Sequence, residues 1–134
     1  VNLIHFDLKM TELENYKYYN DFKVDVVGGF LAMDDLRMFS KYLEEINKKQ
    51  IPFIVISSGS SGKDVIPICQ QYPFVKEVII FCGDYIHNEH YIKEHPGYVK
   101  KVYTNIEDIY EYIKTFGANI YKEGFKRSYF YKSC

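Results

Sequence analysis

The stretch Ile51–Asp64, IPFIVISSGSSGKD, decides how the rest of the chain is read. Ile51–Ile56 is a continuous apolar run rich in β-branched residues, the pattern of a central parallel strand covered on both faces. A loop of serines and glycines follows, and Lys63–Gln71 reads as a short helix that tolerates Pro67 near its first turn. A strand feeding a helix through such a loop can turn backbone N–H groups toward an anion. Ser57, Ser58, Gly59, Ser60, Ser61 and Gly62, with Lys63 at the helix start, are therefore the candidate phosphate- or ligand-binding residues.

Working outward, the same strand-then-helix alternation recurs. Val1–Phe6 is apolar enough for a buried strand and ends at Asp7, after which Thr11 and Glu14 form a T-x-x-E capping box opening a helix through Tyr19. Phe22–Val27 reads as a second strand stopped by Gly28-Gly29. Asp34 or Asp35 then caps a helix whose apolar residues Leu36, Phe39, Leu43 and Ile46 recur at three- and four-residue spacing. Beyond the central stretch, Glu77–Cys82 is another buried strand. Gly83-Asp84 turns into a His- and Tyr-bearing helical stretch ended by Pro96-Gly97, and Tyr98–Tyr103 is a more polar strand suited to an edge. Thr104 or Asn105 caps a last helix, with Ile106, Ile109, Tyr110 and Ile113 on one face, closed by Gly117.

Five strands alternating with helices predict an α/β, three-layer, doubly wound domain with a five-stranded parallel sheet in the order 2-1-3-4-5. Residues 1–117 would form this domain and 118–134 a tail or a linker to a following one. In that order the crevice opens between strands one and three, so His5 and Asp7 join the serines as its expected lining, and Asp84 is the other well-placed acid.

Composition narrows the function classes. The 134 residues suit one core, and 17 basic against 18 acidic side chains leave a net charge of -1, so no overall field draws in nucleic acid or an anionic membrane. Three cysteines, Cys69, Cys82 and Cys134, do not make a disulfide framework, and no long apolar run or leader precedes them, so a cytoplasmic location is expected. Cys82, His87, His90 and His95 match no zinc spacing, and Cys82 and Cys69 read as packing residues. The loop is not a Walker A sequence: Ser57 stands where the first glycine belongs, and Asp64 follows Lys63 in place of the metal-binding hydroxyl. Neither a G-x-S-x-G elbow nor a C-x₅-R loop is present. No catalytic residue, metal site or cofactor is assigned.

Together, LIHFD at 3–7, Glu14-Asn15, Phe30, FIVISSGSSGKDVIPI at 53–68, VKEVIIFC at 75–82 and VKKVYTNIEDI at 99–109 resemble a receiver-like (flavodoxin- or TIR-like) α/β module of large multidomain proteins of ciliates, other protists and rotifers. Such modules often stand beside tetratricopeptide, kinase-like or ADP-ribosyltransferase domains. The likeness covers roughly residues 3–113, and its most specific part is Ser58, Gly59, Gly62 and Pro67. It implies a regulatory or sensor module and supplies no catalytic residues. A phosphorylatable receiver places an acceptor aspartate at the end of strand three, where this chain has Ser57 or Ser58. Asp7 could serve as one metal-binding acid, but one carboxylate is too few for Mg²⁺.

The expected function is a non-enzymatic regulatory or protein-interaction module within a larger signalling protein, its partner another protein or a neighbouring domain. The alternative is a nucleotide- or phosphate-binding domain, or a TIR-like NAD-processing enzyme, using the Ser57–Gly62 loop.

Overall fold

The computed structural model describes residues 2–7, 30–49, 52–109, 111–113 and 128–130. In chain order these form β1 (Asn2–Phe6), β2 (Phe30–Met33), α1 (Leu36–Ile46) with a 3-10 turn at Asn47–Lys49, β3 (Phe53–Ser58), α2 (Gly62–Cys69), β4 (Val75–Phe81), α3 (His90–Glu94), β5 (Val102–Tyr103), helical residues 106–109 and 111–113, and β6 (Ser128–Phe130). The chain is an α/β protein with a parallel sheet, a Rossmann- or flavodoxin-like kind of fold.

The sheet runs β5-β4-β3-β1-β2-β6, and every neighbouring pair is parallel. Two expectations are corrected. There are six described strands rather than five, because Ser128–Phe130 pairs with β2, so 2-1-3-4-5 is not the order of the whole sheet. The strand beside β1 is Phe30–Met33, whose sequence FLAM has three strong helix formers in Leu, Ala and Met and carries no alternation. The expected strand Phe22–Val27 and the capping box at Thr11 and Glu14 lie outside the described residues.

Period-two alternation divides the sheet's side chains between two faces. One face carries Ile4, Phe6, Phe53, Val55, Val78 and Ile80 against Phe39 and Leu43 of α1, Val65, Ile66 and Cys69 of α2, and Tyr91 of α3. The other carries Leu3, Ile54, Ile56 and Ile79 against Ile109 and Ile113 of the last helical residues. At about 1.5–3 kcal/mol for each large apolar side chain removed from water, these two layers dominate the favourable side of folding.

Local signals explain where the helices start. Asp35 adopts an extended backbone and its side chain accepts a 2.9 Å hydrogen bond from the Met38 N–H, opening α1 with an N-cap. Phe39 and Leu43, four apart, are the buried stripe of that helix. Asn105 Oδ1 accepts the Glu107 N–H at 2.8 Å and starts the last helical stretch as the sequence predicts. The stretch expected as helical after the Gly83-Asp84 turn and through His95 is helical only over His90–Glu94. The strand expected at Tyr98–Tyr103 shortens to Val102–Tyr103, because the chain after His95 first turns back on itself: the Tyr98 and Val99 N–H groups both donate to the His95 carbonyl.

The register sets up the functional edge. Phe6 lies level with Ser57, Ser58 with Phe81, and Phe81 with Tyr103, so β1, β3, β4 and β5 finish together. The ladder is continued past the strand ends by the Asp7 N–H to the Met33 carbonyl at 3.1 Å and the Cys82 N–H to the Tyr103 carbonyl at 3.0 Å.

Candidate functional site

Where these four strands end, a cleft of ≈ 490 Å³ opens at the carboxyl edge of the sheet. Each strand contributes the residue at or just past its end: Asp7 from β1, Ser58 and Gly59 from β3, Phe81 and Cys82 from β4, and Thr104 from β5. Ser60, Gly83, Asp84 and Asn88 complete the lining. In parallel α/β sheets ligands bind outside the carboxyl ends of strands where the connections diverge, and β1, flanked by β2 and β3, is that point here.

Of the nine candidate residues, Asp7, Ser58, Gly59, Ser60 and Asp84 meet at this cleft, while Ser57, Ser61, Gly62 and Lys63 do not line it. Ser57 is fully buried, and its hydroxyl donates to the Ser58 carbonyl at 2.9 Å. Ser61 is buried beside Ser58, with 2.8 Å between the two hydroxyl oxygens. Lys63 is exposed on α2. His5, also expected in the crevice, is buried inside the sheet, and burial pushes its imidazole down to about 4.

The loop largely satisfies itself. The Ser61 N–H donates to the Ser58 carbonyl at 3.2 Å and the Gly62 N–H to the Gly59 carbonyl at 3.4 Å, while the Asp64 and Val65 N–H groups both donate to the Ser61 carbonyl. Among the described residues, only the Gly59 and Ser60 N–H groups of the loop before Gly62 carry no hydrogen bond.

The opposite wall is a turn built on Asp84. Its carboxylate accepts the His87 N–H at 3.2 Å and contacts the His87 ring at Nδ1, and these hydrogen bonds hold the carboxyl below its usual range. The Asp84 carbonyl accepts the Asn88 side-chain amide at 2.7 Å and the Cys82 thiol at 3.3 Å. Burial pushes the Cys82 thiol up, so it sits in the cleft as a weak nucleophile.

The turn and α3 grip the serine-glycine loop at two glycines. A Cβ at Gly59 would lie 2.3 Å from Asn88 Oδ1, and one at Gly62 would lie 2.8 Å from Tyr91 Cζ. Both positions are glycine because the facing side chains occupy that volume. The Tyr91 ring is buried, and burial pushes its hydroxyl up.

The histidines do not converge. His87 pairs with Asp84, His90 Nε2 lies 3.9 Å from Glu94 Oε2, and His95 Nδ1 lies 3.1 Å from Gln70 Nε2. Among the described residues no three His, Cys, Asp or Glu side chains group as metal ligands. None of the described helices is long and apolar enough to cross a membrane.

Cys82 packs against the core as the sequence suggests and also lines the cleft, whereas Phe81, Gly83, Asn88 and Thr104 are lining residues the sequence reading does not single out. The end of the apolar run VIIF and of VKKVY would have pointed to Cys82, Gly83 and Thr104, since the residue after a parallel strand emerges at the functional edge. Nothing in sequence marks Asn88, which enters through the Asp84 turn. No family model, curated protein or solved structure matches the chain.

Proposed function

We propose that the domain is a non-enzymatic regulatory module of receiver-like build, working inside a larger signalling protein, that takes a small polar ligand at the carboxyl edge of its sheet. The observation that carries this is the cleft itself, formed by the ends of four strands and lined by hydroxyl, amide, thiol and carboxylate groups. The receiver-like part of the reading rests on the succession β2-β1-β3-β4-β5 within the sheet and on Asp7 standing at the end of β1. Its non-enzymatic part rests on Ser58 at the end of β3, where a receiver carries its acceptor carboxylate; the lysines near the receiver's lysine position in sequence, Lys100 and Lys101, precede β5, and Thr104 follows it. Ligand binding would reach a partner protein or neighbouring domain through the Asp84–Asn88 turn, whose Ile86 is 76% exposed.

A second reading, a phosphate or nucleotide site or a TIR-like NAD-cleaving enzyme, draws on the Gly59 and Ser60 N–H groups. A ¹⁵N NMR titration with pooled metabolites including ADP, ADP-ribose and NAD, followed by a check for NAD consumption, separates the two. The regulatory reading expects saturable shifts at Ser58–Ser60, Cys82–Asp84 and Thr104 with NAD intact. Consumption of NAD, or silence of these amides toward every pool, would overturn it.

A further inference from the structure

Resting on the ligand-binding reading of the cleft, we infer that its occupant is a small neutral polyol, a molecule the size of a sugar ring, seated over Gly83 between the hydroxyls of Ser60 and Thr104. Three features of the lining lead there.

The first is what the lining has left to bond with. The Asp84 carboxylate accepts the His87 N–H and contacts the His87 ring, while the Asn88 amide and the Cys82 thiol both donate to the Asp84 carbonyl. Among the described residues, the Ser60 and Thr104 hydroxyls and the Gly59, Ser60 and Thr104 N–H groups make no hydrogen bond. All of these are neutral, and the hydroxyls both donate and accept, so they suit a neutral partner that carries hydroxyls of its own.

The missing side chain at Gly83 is the second. Gly59, the lining's other glycine, faces Asn88 closely, but a Cβ at Gly83 would meet nothing within 4 Å, and its backbone lies outside the left-handed region. Neither packing nor backbone conformation calls for glycine there. Its effect is to keep the middle of the cleft open.

Position is the third. Ser60 follows β3 and Thr104 follows β5, the strands on either side of β4, so the two hydroxyls rise from strands about 10 Å apart at the usual inter-strand spacing, with Gly83 between them. Phe81 adds an apolar surface for the C–H face of a ring, and ≈ 490 Å³ falls in the lower half of the range for small-molecule sites. Charged occupants fare worse. An anion finds no lysine or arginine in the lining, and a cation finds the Asp84 carboxylate already turned to His87, with Asp7 on the far side of β3 from Gly83.

Myo-inositol and D-ribose, with inorganic phosphate and putrescine as charged controls, test this on the whole chain by ¹⁵N NMR. Saturable shifts at Ser60, Gly83 and Thr104 with a polyol and with neither control are expected, unchanged as salt is raised because no ion pair forms. Thr104→Val, which removes the hydroxyl and keeps the shape, should weaken the polyol about tenfold. Gly83→Val, which fills the middle of the cleft, should abolish the shifts at Ser60 and Thr104, and the remaining spectrum of both variants should be unchanged. If phosphate or putrescine saturates these amides, the cleft reading survives and the neutral assignment falls. If a polyol binds both variants as well as it binds the parent chain, or none of the four probes shifts the cleft at millimolar concentration, the assignment falls as well, while the metabolite pools judge the cleft reading independently.

Discussion

The Tyr91 hydroxyl donates a 2.8 Å hydrogen bond to the carbonyl of Gly59, joining α3 to the serine-glycine loop across a separation of 32 residues. The Gly59 carbonyl also accepts the Gly62 N–H, so losing the tyrosine hydroxyl leaves that oxygen with one longer bond rather than none. Tyr91→Phe should therefore cost about 1 kcal/mol in urea unfolding, within the range for one intramolecular hydrogen bond. Tyr91→Ala also empties the volume beside Gly62 and should cost about 3–5 kcal/mol.

The glycines facing α3 and its preceding turn make a paired prediction. Gly59→Ala drives a Cβ into Asn88 Oδ1, a side chain anchored by its bond to the Asp84 carbonyl, and should destabilise by about 1–3 kcal/mol. Asn88→Ala removes the obstruction, so the double variant should lose less than the sum of the two single losses, a coupling that a double-mutant cycle measures.

Acid sensitivity should trace in part to His5. Its folded value lies at about 4 against 6.5 for an ordinary imidazole, because burial inside the sheet denies the charged ring its hydration. The unfolded chain therefore binds the proton first as pH falls. The neutral imidazole's contribution is intact above about pH 6.5 and is lost progressively down to about pH 4, up to about 3 kcal/mol in all. Equilibrium unfolding across that window, with the His5 ring followed by NMR, checks it. A His5 that titrates near 6.5 in the folded state would remove this source of pH dependence.

At the amino end of β4, Glu77 is 4% exposed, accepts a hydrogen bond from the Tyr112 hydroxyl and has Lys100 Nζ at 3.7 Å. Burial and this carboxylate push the Tyr112 hydroxyl up. Tyr112→Phe withdraws a donor from a buried charge and should cost about 1.5–3 kcal/mol. Combining it with Glu77→Leu should recover much of that loss, since the buried carboxylate, left with only the longer contact to Lys100, rather than the missing phenol, carries most of it. Thermal unfolding of Tyr112→Phe, Glu77→Leu and the double variant decides this.

How far these features could be read from the residues depended on how local their causes are. Phe53–Ile56 and Val78–Ile80 are bounded apolar runs, and strands buried on both faces declare themselves that way. The Asp35 cap and the Phe39–Leu43 stripe are equally local. β2 escaped because Phe30–Met33 acquires its strand conformation from pairing with β1, which no window around FLAM records. β6 escaped for the same reason, its partner lying nearly a hundred residues earlier. In the site, Asp7, Ser58 and Asp84 were legible as polar residues after strands. Burial of Ser57, Ser61 and His5 was not, because it depends on which way each residue turns at the edge.

Among the described strands, β1 alone joins β2 and β6 to β3, β4 and β5. Its five residues are thus the seam between two halves of the molecule, hydrogen-bonded along Leu3–Phe6 to β2 on one side and along Asn2–Phe6 to β3 on the other. Opening that seam exposes both halves at once, so its amides should exchange with solvent only in the most global opening, whereas those of β5 and β6, at the sheet's two margins, should exchange through local fraying. Native-state hydrogen exchange would then report β1 as the segment through which the two halves melt as one cooperative unit.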